Sequence, residues 1–355
     1  MRAVKASPDI AVADASLAQQ LARRIASDGP LTVADYMAQA NACYYATRDP
    51  FGRGGDFITA PEISQMFGEL VGLWLADLWL RSGRPEDCRY VELGPGRGTL
   101  ASDALRAMNS AGLTPAVEFV ETSPILKRAQ AERVPHARWH DGIASLPDGG
   151  PLLIVANEFF DALPIRQFVA GPAGWNERMV DQVEGRFVPF GGAPVEDGPR
   201  RPAVTGTICE SSPLSMAIVA DIAERIAAQG GAALIIDYGH VRSCTGETLQ
   251  AVHAHAFADP WTAPGENDLT AHVDFEALSG AATSDGVAVF GPVEQGAWLG
   301  ALGIDVRAAA LCGLSPDRAD EVEAARLRLT ADGQMGSLFK VMALVASGWA
   351  EPAGF

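Results

Sequence analysis

Residues 91–100 read VELGPGRGTL. An apolar run that opens with Tyr90 and Val91 leads into three alternate glycines, Gly94, Gly96 and Gly98, and then into the helix-like GTLASDALRAM. Glycine has no Cβ, so such a loop turns tightly and lets a backbone approach a ligand. In an open α/β sheet, ligands bind beyond the carboxyl ends of the strands, and the loop sits there if CRYVEL is a strand. The spacing narrows the choice of ligand. A dinucleotide fingerprint reads GxGxxG, and a phosphate loop needs GxxxxGK followed by Ser or Thr. This chain reads GxGxG, and no phosphate-loop string occurs in it.

Working outward, the same pattern repeats. AVEFVE, PLLIVANEFF, GAALIIDYG and SLFKVMALVA are runs rich in Val, Ile and Leu with little alternation, and ARWH is a further short strand candidate. Such runs suit strands buried on both faces. SPILKRAQAERV reads as a helix with Ser123 as N-cap and Pro124 behind it. Strands alternating with helices predict an α/β fold with a mainly parallel, doubly wound sheet. Before the glycine loop, residues 16–48 read as helices that stop at Asp28-Gly29-Pro30 and Asp49-Pro50. A glycine-rich loop follows, FGRGGDFITAPE, and then the apolar ISQMFGELVGLWLADLWL. Ile63, Met66, Phe67, Leu70, Trp74 and Leu78 recur there at helical spacing, and Glu69 and Asp77 interrupt the run. It reads as a buried amphipathic helix, not a membrane span. Trp74 and Trp79 suit either a core or a homodimer face. Residues 165–215 carry Gly and Pro punctuation and read as a β-rich insertion. Residues 240–272 read as a long irregular segment, a length that is usually functional or mobile. The division is therefore 1–87, a helical segment with a lid; 88–164 with 216–355, the sheet core; and 165–215, an inserted subdomain for substrate contact or oligomerisation.

Composition sets outer limits. The chain has 355 residues, 48% of them apolar, and 44 acidic against 27 basic residues give a net charge of −17. That balance repels nucleic acid at long range and tolerates or attracts a cationic substrate, and it reads equally well as a charge that keeps the chain in solution. The five cysteines, Cys43, Cys88, Cys209, Cys244 and Cys312, are widely spaced and form no CxxC, which points to a reducing compartment and against a zinc site. The first 20 residues hold Asp9 and Asp14 and no continuous apolar stretch, which fits a bacterial cytoplasmic protein better than a mitochondrial precursor; a eukaryotic source implies the matrix. His253, His255 and His272 lack an acid that completes a metal-ligand set.

Glu92 followed by GxGxG resembles the first motif of class I S-adenosylmethionine-dependent methyltransferases. That cofactor has no phosphates and presents a cationic amine and a sulfonium, so acids around the loop make electrostatic sense. Glu121 ends the next strand, where a carboxylate accepts ribose hydroxyls, a feature shared with dinucleotide binders. Asp141 follows ARWH, where that superfamily often contacts adenine, although Asp141-Gly142 reads equally well as a turn. The resemblance extends further. YYATRDPFGRGGDFITAPEISQMFGELVGLW, ELGPGRGTL, NEFFDALP, IDYGH and PGENDLTAHVDF occur in this order. Together they resemble the MidA family, methyltransferases related to a mitochondrial complex I assembly factor, over about residues 16–345. The resemblance implies a Rossmann-like fold, S-adenosyl-L-methionine as cofactor, and symmetric dimethylation of an arginine on a peripheral-arm subunit of complex I, without insertion into the membrane. An assembly chaperone that has kept the fold without catalysis is the alternative.

An arginine nucleophile is a cation that needs carboxylates to orient it and to take its proton. NEFFDALP follows a strand and lies at the carboxyl edge of the sheet. Glu158 and Asp161 face one pocket if the segment turns helically, and are the catalytic candidates. In competing readings Glu158 caps a following helix and Asp161 pairs with Arg166. Asn157, Glu92, Gly94, Gly96, Gly98, Glu121, Asp141 and Thr59 are the cofactor candidates. Asp56 and Glu62 in the lid are weighed with Thr59, against the bland reading that Thr59 or Glu62 starts the long helix. Residues 264–268 are assigned to the substrate entrance, and Tyr238 and His240 are candidates from their place at a strand end.

Overall fold

The computed structural model describes residues 16–47, 58–253, 256–283 and 286–355. Asp56, His255 and the glycines of the lid at 52, 54 and 55 fall outside them.

The central sheet has seven principal strands, numbered here in chain order: β1 (Arg89–Leu93), β2 (Ala116–Val120), β3 (Arg138–His140), β4 (Leu152–Asn157), β5 (Gly231–His240), β6 (Val287–Glu294) and β7 (Phe339–Ala346). Their order is β6-β7-β5-β4-β1-β2-β3. β3, β2, β1, β4 and β5 run parallel, and β7 is antiparallel to both β5 and β6. The chain steps outward from β1 to β3 and then returns to the other side of β1 with β4. The carboxyl ends of β1 and β4 therefore flank the point where strand order reverses, where open α/β sheets bind ligands.

Both faces of the sheet are covered, as the unalternating strands require. Tyr90, Leu153, Val155, Leu234 and Ile236 point to one apolar layer, and Val91, Leu93, Ile154, Ile235 and Leu344 to the other. Helix α4 (Gln65–Arg81) supplies much of the first layer, together with α5 (Thr99–Ser110). α4 and α5 approach closely because Gly72 is at the crossing; a Cβ there would lie 2.3 Å from the Ala104 carbonyl oxygen. Glu69, the charge inside this apolar helix, is held by Arg307 at 2.7 and 2.9 Å and by Arg106 at 3.0 Å. Trp74 and Trp79 are buried in this layer. They are core residues, and the homodimer-face reading of them does not stand. Among the described residues no single helix is long and apolar enough to cross a membrane.

Packing groups the remaining elements differently from chain order. Helices α1 (Leu17–Asp28) and α2 (Val33–Thr47) do not join α4. They pack with Ile165, Val180 and Phe187 of the insertion. The short strand Leu31–Thr32 pairs antiparallel with Gly174–Val183, extending a five-stranded sheet whose other members are Arg166–Gly171, Arg186–Pro194 and Ile208–Ser211. The stretch read as irregular, 240–272, contains a second small sheet, Gln250–His253, Ala256–Ala258 and Asp268–Thr270. Its strands are three or four residues long, too short to set a period in the sequence.

Candidate active site

The glycine loop leaves β1 and enters α5. Gly94, Gly96 and Gly98 all have positive φ (59°, 54° and 75°), and Gly98 is the N-cap of α5. A Cβ on Gly94 would lie 2.9 Å from the Phe159 ring. The loop is fixed from outside by Gln130 of α6 (Pro124–Arg133), which is fully buried. Its Nε2 donates to the Gly96 carbonyl at 2.8 Å and to Glu121 Oε2 at 3.0 Å, and its Oε1 accepts from Trp139 at 2.7 Å. The other oxygen of Glu121 accepts the N–H groups of Thr122 and Ser123. The carboxylate at the end of β2 is thereby held rigidly at the rim of the cavity.

The turn after β4 is built around a buried acid. Asp237 in β5 is fully buried, and its Oδ2 accepts the N–H groups of Phe159 (3.2 Å), Phe160 (2.9 Å) and Asp161 (3.2 Å). Wrapping three N–H groups on one oxygen bends the chain sharply, and Glu158 takes a left-handed φ of 49°. A non-glycine residue held there is a local strain typical of functional turns. The segment is thus a turn rather than a helix, yet it brings Glu158 and Asp161 to the same cavity. Neither competing reading of these acids holds. Arg166 pairs with Glu177 and Asp197, not with Asp161. Glu158 Oε1 accepts the Ala60 N–H at 2.8 Å, which opens α3 (Ala60–Ile63), and Asn157 Nδ2 at 3.1 Å, and no helix follows Glu158 for it to cap.

The cavity measures about 1110 Å³. Gly94, Gly96 and Glu121 line one part, and Glu158, Asp161, Asp268 and Tyr238 another. Asp268 accepts from Tyr45 Oη at 2.8 Å, and the Tyr45 carbonyl in turn accepts from Ser123. Burial pushes Glu158 up to about 7, against the lowering effect of the Ala60 N–H and helped by the charge of Asp161. Burial also pushes Asp161 up to about 7, opposed by the Ala162 N–H and the Tyr238 hydroxyl. Asp237 lies well above the usual carboxylate range, from burial first and then from the charges of Asp161 and Glu158. Three carboxyls this close cannot all ionise freely, so they titrate as a group.

A smaller chamber of about 30 Å³ adjoins, lined by Thr59, Glu62, Glu92 and Asn157 and sharing Gly94, Gly96 and Glu158 with the main cavity. Glu92 is buried, accepts from Tyr90 Oη at 2.6 Å, and is pushed up to about 8 by that burial. Glu62 accepts from Thr99 Oγ1 at 2.5 Å, and Thr59 makes no side-chain cap, so the helix-starting role belongs to neither side chain. Among the described residues, Asn157 Oδ1 is a buried acceptor without a hydrogen-bond partner. A buried orphan acceptor beside a buried carboxyl is a site for a cationic donor, whose charge favours the ionised acid.

Three candidates lie elsewhere. The Asp141 side chain is 87% exposed, pairs with Lys127 at 3.0 Å, and does not line the cavity. His240 faces away, with Nδ1 2.9 Å from the Arg242 carbonyl. Of residues 264–268 only Asp268 reaches the cavity wall. Gln130 and Asp237 were not anticipated. A lone acid inside ALIIDYG was the available signal for Asp237; Gln130 carried none, since its role depends on the helix facing the loop.

A family model for S-adenosyl-L-methionine-dependent methyltransferases matches residues 70–293. The chain belongs to the MidA family of these methyltransferases. It is 38% identical to a Drosophila melanogaster protein named protein arginine methyltransferase NDUFAF7 homolog, mitochondrial, over 93% of this chain and 84% of that one. The human protein arginine methyltransferase NDUFAF7, mitochondrial, is also 38% identical, over 81% and 74%. Among solved structures, a Burkholderia thailandensis protein described as a likely methyl transferase and bound to S-adenosyl-homocysteine aligns with a TM-score of 0.83 and 28% identity, covering 95% of this chain and 93% of that one. The MidA chain is therefore an S-adenosylmethionine-dependent methyltransferase with the class I, Rossmann-like fold. The residues present fit that cofactor: the positive-φ glycines leave room for close backbone approach, and the orphan acceptor and acid of the small chamber suit its ammonium.

Proposed function

We propose that this protein is a protein arginine N-methyltransferase, that its client is a subunit of respiratory complex I during assembly, and that it dimethylates the target symmetrically. One observation carries the arginine reading: two buried carboxyls, Glu158 and Asp161, stand in the same cavity as the glycine loop. The names of the relatives support it. The client and the symmetric product rest on the resemblance to the complex I assembly factor.

A guanidinium is a planar cation with a pKa above about 12, and two carboxylates are the matched partners for its fork. S-adenosylmethionine supplies an electrophilic methyl group on a sulfonium. In this reading Gly94, Gly96 and Gly98 admit the cofactor, Glu121 takes the ribose, and Glu92 with Asn157 takes the ammonium, with Thr59 and Glu62 closing the chamber. Asp141 is left out of the assignment. Glu158 and Asp161 orient the arginine and take its proton as the C–N bond forms. Carboxyls poised near neutral pH are suited to that task.

A pH dependence follows. Below about 7 the raised carboxyls are protonated and neither hold a cation nor accept a proton. We expect kcat/KM to rise with pH through about 7. Bound guanidinium favours the ionised acids, so the acid limb of kcat should lie at lower pH than that of kcat/KM. Steady-state rates across this range check it; a profile flat through neutrality would contradict the role of the pair. The client is tested by mass spectrometry of complex I subunits from cells with and without the gene. The proposal expects one dimethylarginine to vanish with the gene, and an unchanged set would refute the client assignment.

A further inference from the structure

Helix α2 carries two polar side chains one turn apart, Asn41 and Tyr45, and both line the cavity. Asn41 is buried. Its Nδ2 donates to the carbonyls of Ala162 at 2.8 Å and Leu269 at 2.7 Å, and its Oδ1 accepts the Leu269 N–H at 3.1 Å. One amide thus fastens the turn after β4 to the strand Asp268–Thr270, in each case at the residue that follows an acid. The Ala271 N–H closes the same junction on the Asp161 carbonyl at 2.9 Å. Asp161 and Asp268, far apart in the sequence, are both buried and both line the cavity. The Tyr45 hydroxyl donates to Asp268 Oδ1 at 2.8 Å. Burial, and then the charges of Asp268 and Asp161, hold that hydroxyl well above its usual range, so both acids are its neighbours.

The way these two acids are held differs from that of acids in the framework. Glu69 is held by Arg307 and Arg106, and Glu118 by Arg89. Asp161 is met instead by the Tyr238 hydroxyl, and Asp268 by that of Tyr45. A hydroxyl orients a carboxylate without cancelling its charge, which suits an acid that receives a cationic ligand. Position separates the acids further. Glu158 borders both the main cavity and the small chamber assigned to the cofactor, whereas Asp161 and Asp268 border the main cavity alone. We infer that Asp268 is a further substrate-binding acid, which with Asp161 grips the guanidinium on the side away from the cofactor and leaves Glu158 beside the nitrogen that is methylated. The inference rests on the arginine reading above. A guanidinium spreads five N–H donors over three nitrogens, so acids on two sides can hold it at once. The ammonium of a lysine is a point charge and offers no such fork. Asn41 and Tyr45 act through Asp268 and are positioning residues.

The test uses the full-length protein with S-adenosylhomocysteine bound. Its probe is the arginine peptide that accepts most label among peptides tiled over the complex I subunits. A twin peptide carries citrulline, a neutral isostere, in place of that arginine. Calorimetry gives the preference for arginine over citrulline. Asp268→Asn keeps an oxygen for the Tyr45 hydroxyl, and should cut that preference by about tenfold to a hundredfold, the worth of a charge-assisted hydrogen bond. Its binding of citrulline peptide and of cofactor should not change. In turnover its loss should fall on KM more than on kcat, the reverse of Glu158→Gln. Tyr45→Phe keeps the carbonyl that accepts from Ser123, and should cut the preference in the same direction by less. Melting curves show whether each variant is folded, and Tyr45→Phe decides if Asp268→Asn is not. An arginine preference that survives, or a loss equal for both twins, would overturn the role of Asp268 while leaving the arginine reading intact. A wild type that methylates no arginine peptide, or that binds the twins alike, would overturn both.

Discussion

The double replacement Glu158→Gln with Asp161→Asn is expected to lower methyl transfer by about 10²–10⁴-fold, the usual worth of positioned acid–base groups, and to leave S-adenosylmethionine bound. Both changes keep size and shape. The introduced glutamine still offers an oxygen to the Ala60 N–H that the Glu158 carboxylate accepts, so the start of α3 keeps its partner. What is lost is negative charge facing the cavity and a place for the departing proton. The pair was raised by burial in the wild type, so neutral amides should also relieve a desolvation cost. The melting temperature of the double variant near pH 8 should therefore match or exceed that of the wild type. Transfer assays with calorimetry and melting curves read all three quantities. Undiminished transfer would remove these acids from the reaction. Rescue of complex I assembly by a variant without transfer would instead favour a scaffold that merely holds its client.

Valine at Gly94 or Gly96 should abolish cofactor binding. Both positions have left-handed φ, which costs an ordinary residue about 1–2 kcal/mol and a branched one more. At Gly94 the first side-chain carbon would lie 2.9 Å from the Phe159 ring, and Phe159 lines the cavity. The ring must move, and the backbone loses its approach to the ligand. We expect affinity for S-adenosylmethionine to fall by more than about a hundredfold, near 3 kcal/mol, and the backbone strain to lower the melting temperature of the unliganded protein by only about a few degrees. Calorimetry of the wild type and the two variants measures this. Wild-type affinity in both variants would place the cofactor elsewhere.

The features legible in the sequence were the local ones. Buried parallel strands show as unalternating Val, Ile and Leu, and the glycine loop shows because positive φ selects glycine in place. β6 was not legible, since VAVFGPVE lies at a sheet edge with no fully buried residue and is interrupted by Gly-Pro. The merging of Leu31–Thr32 into the inserted sheet was hidden because pairing across about 150 residues leaves no local pattern. At the site, Glu158 and Asp161 could be named from their place after a strand, but the turn that unites them could not. That turn is written in Asp237, 76 to 78 residues away, whose carboxylate collects three N–H groups. Asp141 shows the opposite case. Its position after a strand matched a superfamily habit, while its side chain answers to Lys127 on a neighbouring helix.

That buried carboxyls beside the glycine loop receive a guanidinium is tested most directly with peptides identical except for arginine or lysine at one position. The purified protein is incubated with each peptide and labelled S-adenosylmethionine, and the label is located by mass spectrometry. Label is expected on arginine alone, and none from the Glu158→Gln, Asp161→Asn variant. Label on lysine, or label that persists in that variant, would contradict a guanidinium held by these acids.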